Sequence, residues 1–405
     1  MITTESCTPS LTSNSLAPLR YSNYILSFLL AGCLACTEPS PKESTNVPQD
    51  YTLPPAHPLQ DATWFSELTY IPLCTDDITL QIRDIQRVRI HEGHVYVLDM
   101  TGIERRLFKF SMDGELQALI RGEADGTNRF YSVSDFAFVE DSIYLLDISV
   151  NRLLVYDTAF TYHRSLSLLG EESVRNFFYL PERDSFLFRR RRPYGHPSSV
   201  FTTGRDFASI HNVPGAEAYT EIAGADYPLG LFTNFVPAPG GLLYTDLFSS
   251  TIWRLTDAGF EQAFTIDFED EVWMTDAEIQ RMPPRDEAAQ RAVQRASAKA
   301  FHFDQVLAGD DYIVLSFTKP GRRYFVRVDE TGNANGAYIP LPMPADESNG
   351  IDGGPPLTYL VGTDGDRLIF QVDMERVQAG GRPARIDLPT DDLSCGKVLI
   401  LARLR

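Results

Sequence analysis

Carboxylates and aromatic rings crowd the stretch between residues 214 and 233: Glu217, Tyr219, Glu221, Asp226, Tyr227 and Phe232. Aromatic faces stack on sugars or peptide groups, and carboxylates accept hydrogen bonds from hydroxyls and amines, so the mixture suits a glycan or a peptide. The same rings would also serve to pack such a loop onto a scaffold. A second stretch, 121–130, carries Arg121, Asp125 and Arg129. Arg121, Asp125, Arg129, Tyr219, Asp226 and Tyr227 are therefore the candidate ligand contacts. Four consecutive arginines, Arg189-Arg190-Arg191-Arg192, are the most unusual local charge feature. They read as an anion or carboxylate site, as a solvated hairpin, or as partners of the acidic surface. Asp346, Glu347, Asn349 and Asp352 offer oxygens to calcium but match no EF-hand spacing, so a solvated loop is the competing reading. His91-Glu92-Gly93-His94 lacks the spacing and the helix of a zinc protease. No Gly-x-Ser-x-Gly elbow, P-loop or Cys-x-x-Cys knuckle occurs. The expectation is no catalytic residue, no resident metal and no cofactor, calcium being the one candidate.

Composition narrows the partners. Asp and Glu number 55 against 36 Lys and Arg, for a net charge of −19 over 405 residues. Such a surface repels nucleic acid and anionic membranes.

The elements that must position these residues are strands. Val133–Val139, Ile143–Ile148, Leu153–Asp157 and His163–Leu168 form one antiparallel meander of β-branched, aromatic and leucine runs, each cut by polar turn residues. The unit recurs. Tyr96-Val97-Leu98-Asp99 precedes Arg106-Leu107-Phe108-Lys109-Phe110, as Tyr144-Leu145-Leu146-Asp147 precedes Arg152-Leu153-Leu154-Val155-Tyr156. Weaker copies are Leu242–Asp246 with Thr251–Leu255, and Tyr312–Leu315 with Arg323–Val328. First strands start near Ile85, Val133, Val174, Asn234, Phe301 and Leu357. A recurring four-stranded meander is the blade of a β-propeller, and six starts mean six blades. The last copy has only Leu357–Val361, Arg367–Val372 and Lys397–Leu404, and Trp64–Leu73 has no blade of its own. The expected fold is all-β: a six-bladed β-propeller of four-stranded antiparallel blades, closed by the N-terminal strand. Cys74 and Cys395 flank that seam and would form a disulfide latch in an oxidising compartment or remain two buried thiols. Asp99, Asp147 and Asp246 each end a second strand, where a carboxylate accepts backbone N–H groups in the following turn and pairs with the arginine opening the next strand. One helical insertion is expected, opened by the capping box Thr275-Asp276-Ala277-Glu278, interrupted at Pro283-Pro284 and resumed over Arg285–Ala300.

Three regions follow: a signal segment at 1–32, a flexible tether at 33–63 and the propeller at 64–405. Tyr24–Ala31 is apolar but too short to span a membrane. It runs into Leu30-Ala31-Gly32-Cys33, which resembles the bacterial lipobox. That likeness implies a signal peptide cleaved before Cys33 and diacylation of that cysteine, with a plain secretory signal as the alternative. Residues 37–62 are rich in Pro, Ser and acids and bury no core.

Tyr70-Ile71-Pro72-Leu73, Val95–Asp99, Phe108–Gly114, Ser134-Asp135-Phe136 and Ile143–Asp147 together resemble the six-bladed β-propeller lipoproteins common in Bacteroidota, and Asp147, Asn151 and Arg152 are similar to NHL repeats. The resemblance covers residues 64–405. The glycine-rich loop that such proteins often carry between blades one and two is replaced here by Arg121–Phe130. Fold and cell-envelope address follow from the likeness more than chemistry does. The longest loops, 122–132, 214–233, 269–300 and 342–356, join one blade to the next at one end of the ring, where sites sit on a rigid scaffold. Two functions fit. The first is a lipid-anchored binding or scaffolding module of the outer membrane, facing the periplasm or the surface, that recognises a glycan, peptide or envelope protein. The second is a metal-dependent hydrolase of lactonase or esterase type, with carboxylates converging on the central channel.

Overall fold

Most strands of this chain are apolar on both faces, because each sheet is covered on both sides by its neighbours. In His94–Asp99, Val95 and Val97 enter one cluster while Tyr96 and Leu98 enter the next. In Ser142–Asp147, Ile143 and Leu145 point one way and Tyr144 and Leu146 the other. Period-two alternation is thus hidden in the sequence, since neither face meets water.

The computed structural model describes residues 49–52, 56–58, 65–75, 77–100, 105–122, 130–168, 173–190, 198–216, 235–246, 249–268, 273–275, 277–278, 299–300, 302–309, 312–319, 322–329, 334–340, 359–374 and 395–404. Three strands come first: β1 (Gln49–Thr52), β2 (Ala56–Pro58) and β3 (Phe65–Leu73). Blade one is β4 (Ile85–His91), β5 (His94–Asp99), β6 (Arg106–Ser111) and β7 (Leu116–Arg121). Blade two is β8 (Val133–Val139), β9 (Ser142–Asp147), β10 (Arg152–Asp157) and β11 (Tyr162–Ser167). Blade three is β12 (Val174–Leu180), β13 (Ser185–Arg190), β14 (Val200–Gly204) and β15 (His211–Asn212). Blade four holds β16 (Phe235–Ala238), β17 (Gly241–Thr245), β18 (Thr251–Thr256) and β19 (Gly259–Asp267). Blade five holds β20 (Gln305–Ala308), β21 (Tyr312–Lys319), β22 (Arg322–Asp329) and β23 (Ala334–Pro340). Blade six is β24 (Tyr359–Asp364), β25 (Arg367–Asp373), β26 (Lys397–Leu404) and, as its outer strand, β3.

The ring is therefore latched as expected: β3 runs antiparallel to β26 from Leu73 opposite Lys397 to Phe65 opposite Leu404. A disulfide joins Cys74, just past β3, to Cys395, just before β26. Apolar clusters fill the seams between successive blades. The one between blades six and one contains Val361, Ile369 and Leu399 with Val88 and Val97. Inner-strand starts fall at Ile85, Val133 and Val174 as read, and one to four residues later in blades four to six. Blade five starts latest because His302 and Asp304 are drawn into a polar cluster with Arg323 and Thr318 before the ladder begins.

The structure departs from the flexible tether expected over 33–63. Within it, β1 adds in parallel to the outer edge of β19, Gln49 opposite Phe264, and β2 adds in parallel to β23, Ala56 opposite Gly336. The incoming chain thus walks across the outer edges of blades four, five and six in turn. It covers backbone groups that an exposed edge strand leaves unpaired, and this pairing needs no apolar side chain.

The capping box is formed: Thr275 N–H donates to Glu278 Oε2 at 2.8 Å and Glu278 N–H to Thr275 Oγ1 at 3.3 Å. The remainder of the expected helical insertion, 279–298, lies outside the described residues, as do the signal segment and Cys33. Among the described residues, no helix is long and apolar enough to cross a membrane.

Candidate functional site

Inner strands line the axis of a propeller, and here four of the six share a local irregularity. A β-bulge interrupts pairing between Ile85 and Arg87, Val133 and Asp135, Val174 and Asn176, and Leu360 and Gly362. A bulge inserts one unpaired residue, bends the strand and re-aims the side chains beside it. In blades one to three the affected pairs are polar: Gln86-Arg87, Ser134-Asp135 and Arg175-Asn176. They stand near the end of the ring at which the chain enters each blade.

Asp135 organises this cluster. It is fully buried, and its Oδ1 meets Arg87 Nη1 at 2.6 Å and Arg89 Nη2 at 3.7 Å. Oδ1 also accepts the Phe136 N–H at 2.8 Å, and Oδ2 accepts the Phe177 N–H at 3.3 Å. One carboxylate therefore ties the inner strands of blades one, two and three. Ser134 Oγ donates to the Arg175 carbonyl at 2.9 Å and repeats the tie between blades two and three.

Blades one and two are linked by three rungs along β4: Arg87 on Asp135, the Arg89 guanidinium over the Phe136 ring at 5.5 Å, and His91 stacked on Phe138 at 3.9 Å. Strands β8 and β12 approach closely, as do β24 and β4, whereas β4 and β8 stand apart, and the long side chains of β4 span the interval. Close approach of β24 to β4 demands Gly362, where a Cβ would lie 2.5 Å from the Val88 carbonyl oxygen.

The electrostatics are lopsided, with two guanidiniums facing one carboxylate. Arg87 is only 6 % exposed, and its Nη2 has no hydrogen-bond partner. The Arg89 side chain is 31 % exposed, yet its Nε is buried without a partner. Desolvation and the neighbouring Arg87 charge pull the Arg89 guanidinium down to about 10, against the opposing pull of Asp135. Gln86 Oε1 and His91 Nε2 are also buried and unpartnered.

Of the six expected ligand contacts, Arg121 is described: it is exposed at the end of β7, on the outer strand, where its charge reaches Asp77. Asp125, Arg129, Tyr219, Asp226 and Tyr227 lie outside the described residues, as do Arg191, Arg192 and the 342–356 calcium candidate. Arg189 and Arg190 are neither solvated nor on the surface. Arg189 meets Asp246 across the seam to blade four at 2.9 Å. Arg190 donates to the Ser198 carbonyl at 2.7 Å and lies over Phe201. Asp246 thus pairs across the seam with an arginine of blade three. Asp99 does pair with Arg106, at 2.5 Å, and it also accepts the N–H groups of Arg83 and Asp84, in the segment entering β4. Asp147 likewise accepts from Tyr131 and Ser132 before β8, and also from Ser149 in the following turn. These aspartates pin the entering segment onto its blade.

The polar pairs at the bulges are not among the six expected contacts. Their signal is two consecutive polar residues directly after the first β-branched residue of an otherwise apolar inner strand. Among the described residues no group of three or more His, Cys, Asp or Glu side chains is placed to hold a metal ion.

Comparison with known proteins agrees with this geometry. The family model DUF5128, described as a 6-bladed beta-propeller, matches residues 57–339. An exported-protein candidate of Bacteroides fragilis superposes with a TM-score of 0.68 at 14 % identity, covering 89 % of this chain and 100 % of its own. A DUF4221-family protein of Bacteroides vulgatus superposes with a TM-score of 0.50 at 8 % identity, covering 84 % and 97 %. At these identities the likeness is one of fold. No curated protein matches.

Proposed function

Because the chain belongs to the DUF5128 family of six-bladed β-propellers, we propose that it is a binding module of the cell envelope, anchored to the outer membrane through an acylated Cys33, which holds a glycan, peptide or protein partner at the loop-rich end of the ring. The observation that carries this reading is the set of polar pairs re-aimed at the inner-strand bulges, with buried donors left over on a rigid scaffold. The Cys74–Cys395 disulfide suits an oxidising compartment, and the Bacteroides fragilis relative carries an exported name. The hydrolase alternative needs carboxylates converging at the inner-strand starts. In blades one to three those positions carry Arg87, Asp135 and Asn176, and the one carboxylate there is engaged by Arg87.

Thermal melting of the full-length protein in detergent, against a panel of glycans and peptides and with EDTA or calcium, tests the proposal. A saturable rise in melting temperature with one glycan or peptide class supports it. A response to calcium alone, with turnover of a lactone or ester, would replace it with the hydrolase. Mass spectrometry of the mature N-terminus tests acylation of Cys33 separately.

A further inference from the structure

The seam between blades one and two holds more positive than negative charge. Arg87 and Arg89 share Asp135 Oδ1, and among the described residues no second carboxylate meets either guanidinium. Each keeps a buried N–H without an acceptor, at Arg87 Nη2 and Arg89 Nε. A buried donor left unpaired costs about 1–3 kcal/mol, and more when it is charged. The two guanidiniums converge on Asp135 Oδ1, and an acceptor that arrives from outside would relieve their unpaired donors. About a third of the Arg89 side chain is exposed while Arg87 and Asp135 are buried, so the solvent side of the cluster is Arg89, although its Nε itself is covered. Burial first, and then the neighbouring Arg87 charge, lower the pKa of Arg89 against the pull of Asp135. Arg106 and Arg189 each face a carboxylate of their own: Arg106 has Asp99 with two backbone carbonyls, and Arg189 has Asp246, although Arg189 Nε is also without a hydrogen-bond partner.

We infer that Arg87 and Arg89 form an anion-binding site at the mouth of the channel, which takes one oxyanion group, carboxylate or phosphate, of the module's ligand. The inference rests on the binding-module reading and supplies its chemistry. A guanidinium presents its N–H groups in a planar fork that matches the oxygens of a carboxylate or phosphate, and out of bulk water such charge-assisted bonds are strong. One added negative charge brings the cluster of two arginines and one aspartate to neutrality. The protein as a whole carries −19 and repels anions at long range. Selection therefore lies in short-range contact at this cluster rather than in steering.

The test uses the full-length protein in detergent, with calorimetric titration of D-glucuronate, inorganic phosphate and, as a neutral control, methyl β-D-glucoside. At least one of the two anions binds saturably in the millimolar range or tighter, and the neutral glucoside does not. Glucuronate alone identifies a sugar-acid or other carboxylate ligand, and phosphate alone a phosphate ester. Arg89→Gln weakens the binding anion by at least about tenfold without lowering the melting temperature of the unliganded protein, because it removes an under-compensated cation. Arg89→Lys keeps the charge, loses the fork and recovers only part of the affinity. Asp135→Asn, provided it folds, binds the anion more tightly. Failure of both anions to bind, or equal binding to wild type and Arg89→Gln, overturns the site. So does a lowered melting temperature in Arg89→Gln with no anion binding to wild type, which marks a structural arginine. A neutral glycan or peptide that binds wild type and Arg89→Gln alike overturns the anion site and leaves the binding module standing.

Discussion

The Cys74–Cys395 disulfide spans 321 residues and closes the ring at the one seam where the first and last strands of the propeller meet. Its effect is worked from the unfolded chain, since a cross-link restricts the denatured ensemble most when its loop is long. The loop-entropy relation gives about 19 cal/mol/K for that loop, a ceiling of about 5.7 kcal/mol at 25 °C. Measured disulfides commonly deliver about 2–4 kcal/mol, because denatured chains keep residual structure. The β3–β26 ladder, Leu73 opposite Lys397 to Phe65 opposite Leu404, uses backbone bonds outside the cross-link, so the ring is expected to persist when the bond is cut and the loss to be seen in stability. At roughly 2.1 cal/mol/K per residue, a ring of about 340 residues melts with an entropy near 0.7 kcal/mol/K, so a loss of 2–5 kcal/mol lowers the melting temperature by about 3–7 °C. Calorimetry of wild type with and without reductant, and of Cys74→Ala/Cys395→Ala, measures it. Reductant keeps both sulfur atoms and so isolates the cross-link from packing at buried Cys395. The reasoning is refuted if reduced wild type melts within about 1 °C of the oxidised protein, or if reductant lowers the double variant equally.

Three further outcomes follow from single residues. Asp99→Ala strands Arg106 in the blade without its carboxylate and orphans the Arg83 and Asp84 N–H groups. It should cost about 3–5 kcal/mol by urea unfolding, and a loss under about 1 kcal/mol would mean that solvent or a neighbour replaces the carboxylate. Gly114 sits at φ +87°, and a Cβ there would meet the Pro72 carbonyl oxygen at 1.7 Å, whereas Gly93 at φ +71° has open space. Gly93→Ala should therefore cost the positive-φ term of about 1–3 kcal/mol, and Gly114→Ala should cost clearly more by pushing β3 from its seat; equal losses would contradict this. Burial opposes charge on Asp304, but hydrogen bonding with His302, the Arg323 charge and the Thr318 hydroxyl overcome it and hold the carboxyl below its ordinary value near 3.8. A lowered carboxyl contributes stability that is present above the unfolded value and lost as pH falls through the folded one. The melting temperature should thus fall more steeply below about pH 4 in wild type than in Asp304→Asn, and parallel acid limbs would count against the cluster.

Much of the fold was legible because its cause is local. Tyr96–Asp99 and Tyr144–Asp147 show the second strand of a blade twice, since a strand covered on both faces reads as an unbroken apolar run. The missing strand of the last copy and the spare strand Trp64–Leu73 located the latch by counting, and Cys74 and Cys395 fell beside it. The site was less legible. Of the six candidate contacts five lie outside the described residues, and the under-compensated cluster on the inner strands has only a short polar pair as its mark in the sequence.

What the sequence determined by itself is what each strand needs within a few residues of itself: an apolar period, a polar turn, an acid at the strand end. The tertiary structure decided what depends on partners far apart in the chain. Arg87 and Asp135 are 48 positions apart and meet only because bulges in two blades turn them into one seam. Arg189 finds Asp246 across the next blade boundary, 57 positions on. Strands β1 and β2 lie in a stretch whose composition suits a tether, and they pair because blades four and five present unpaired edges to a passing backbone. Edge pairing uses the N–H and C=O groups common to all residues, so side-chain types carry little trace of it.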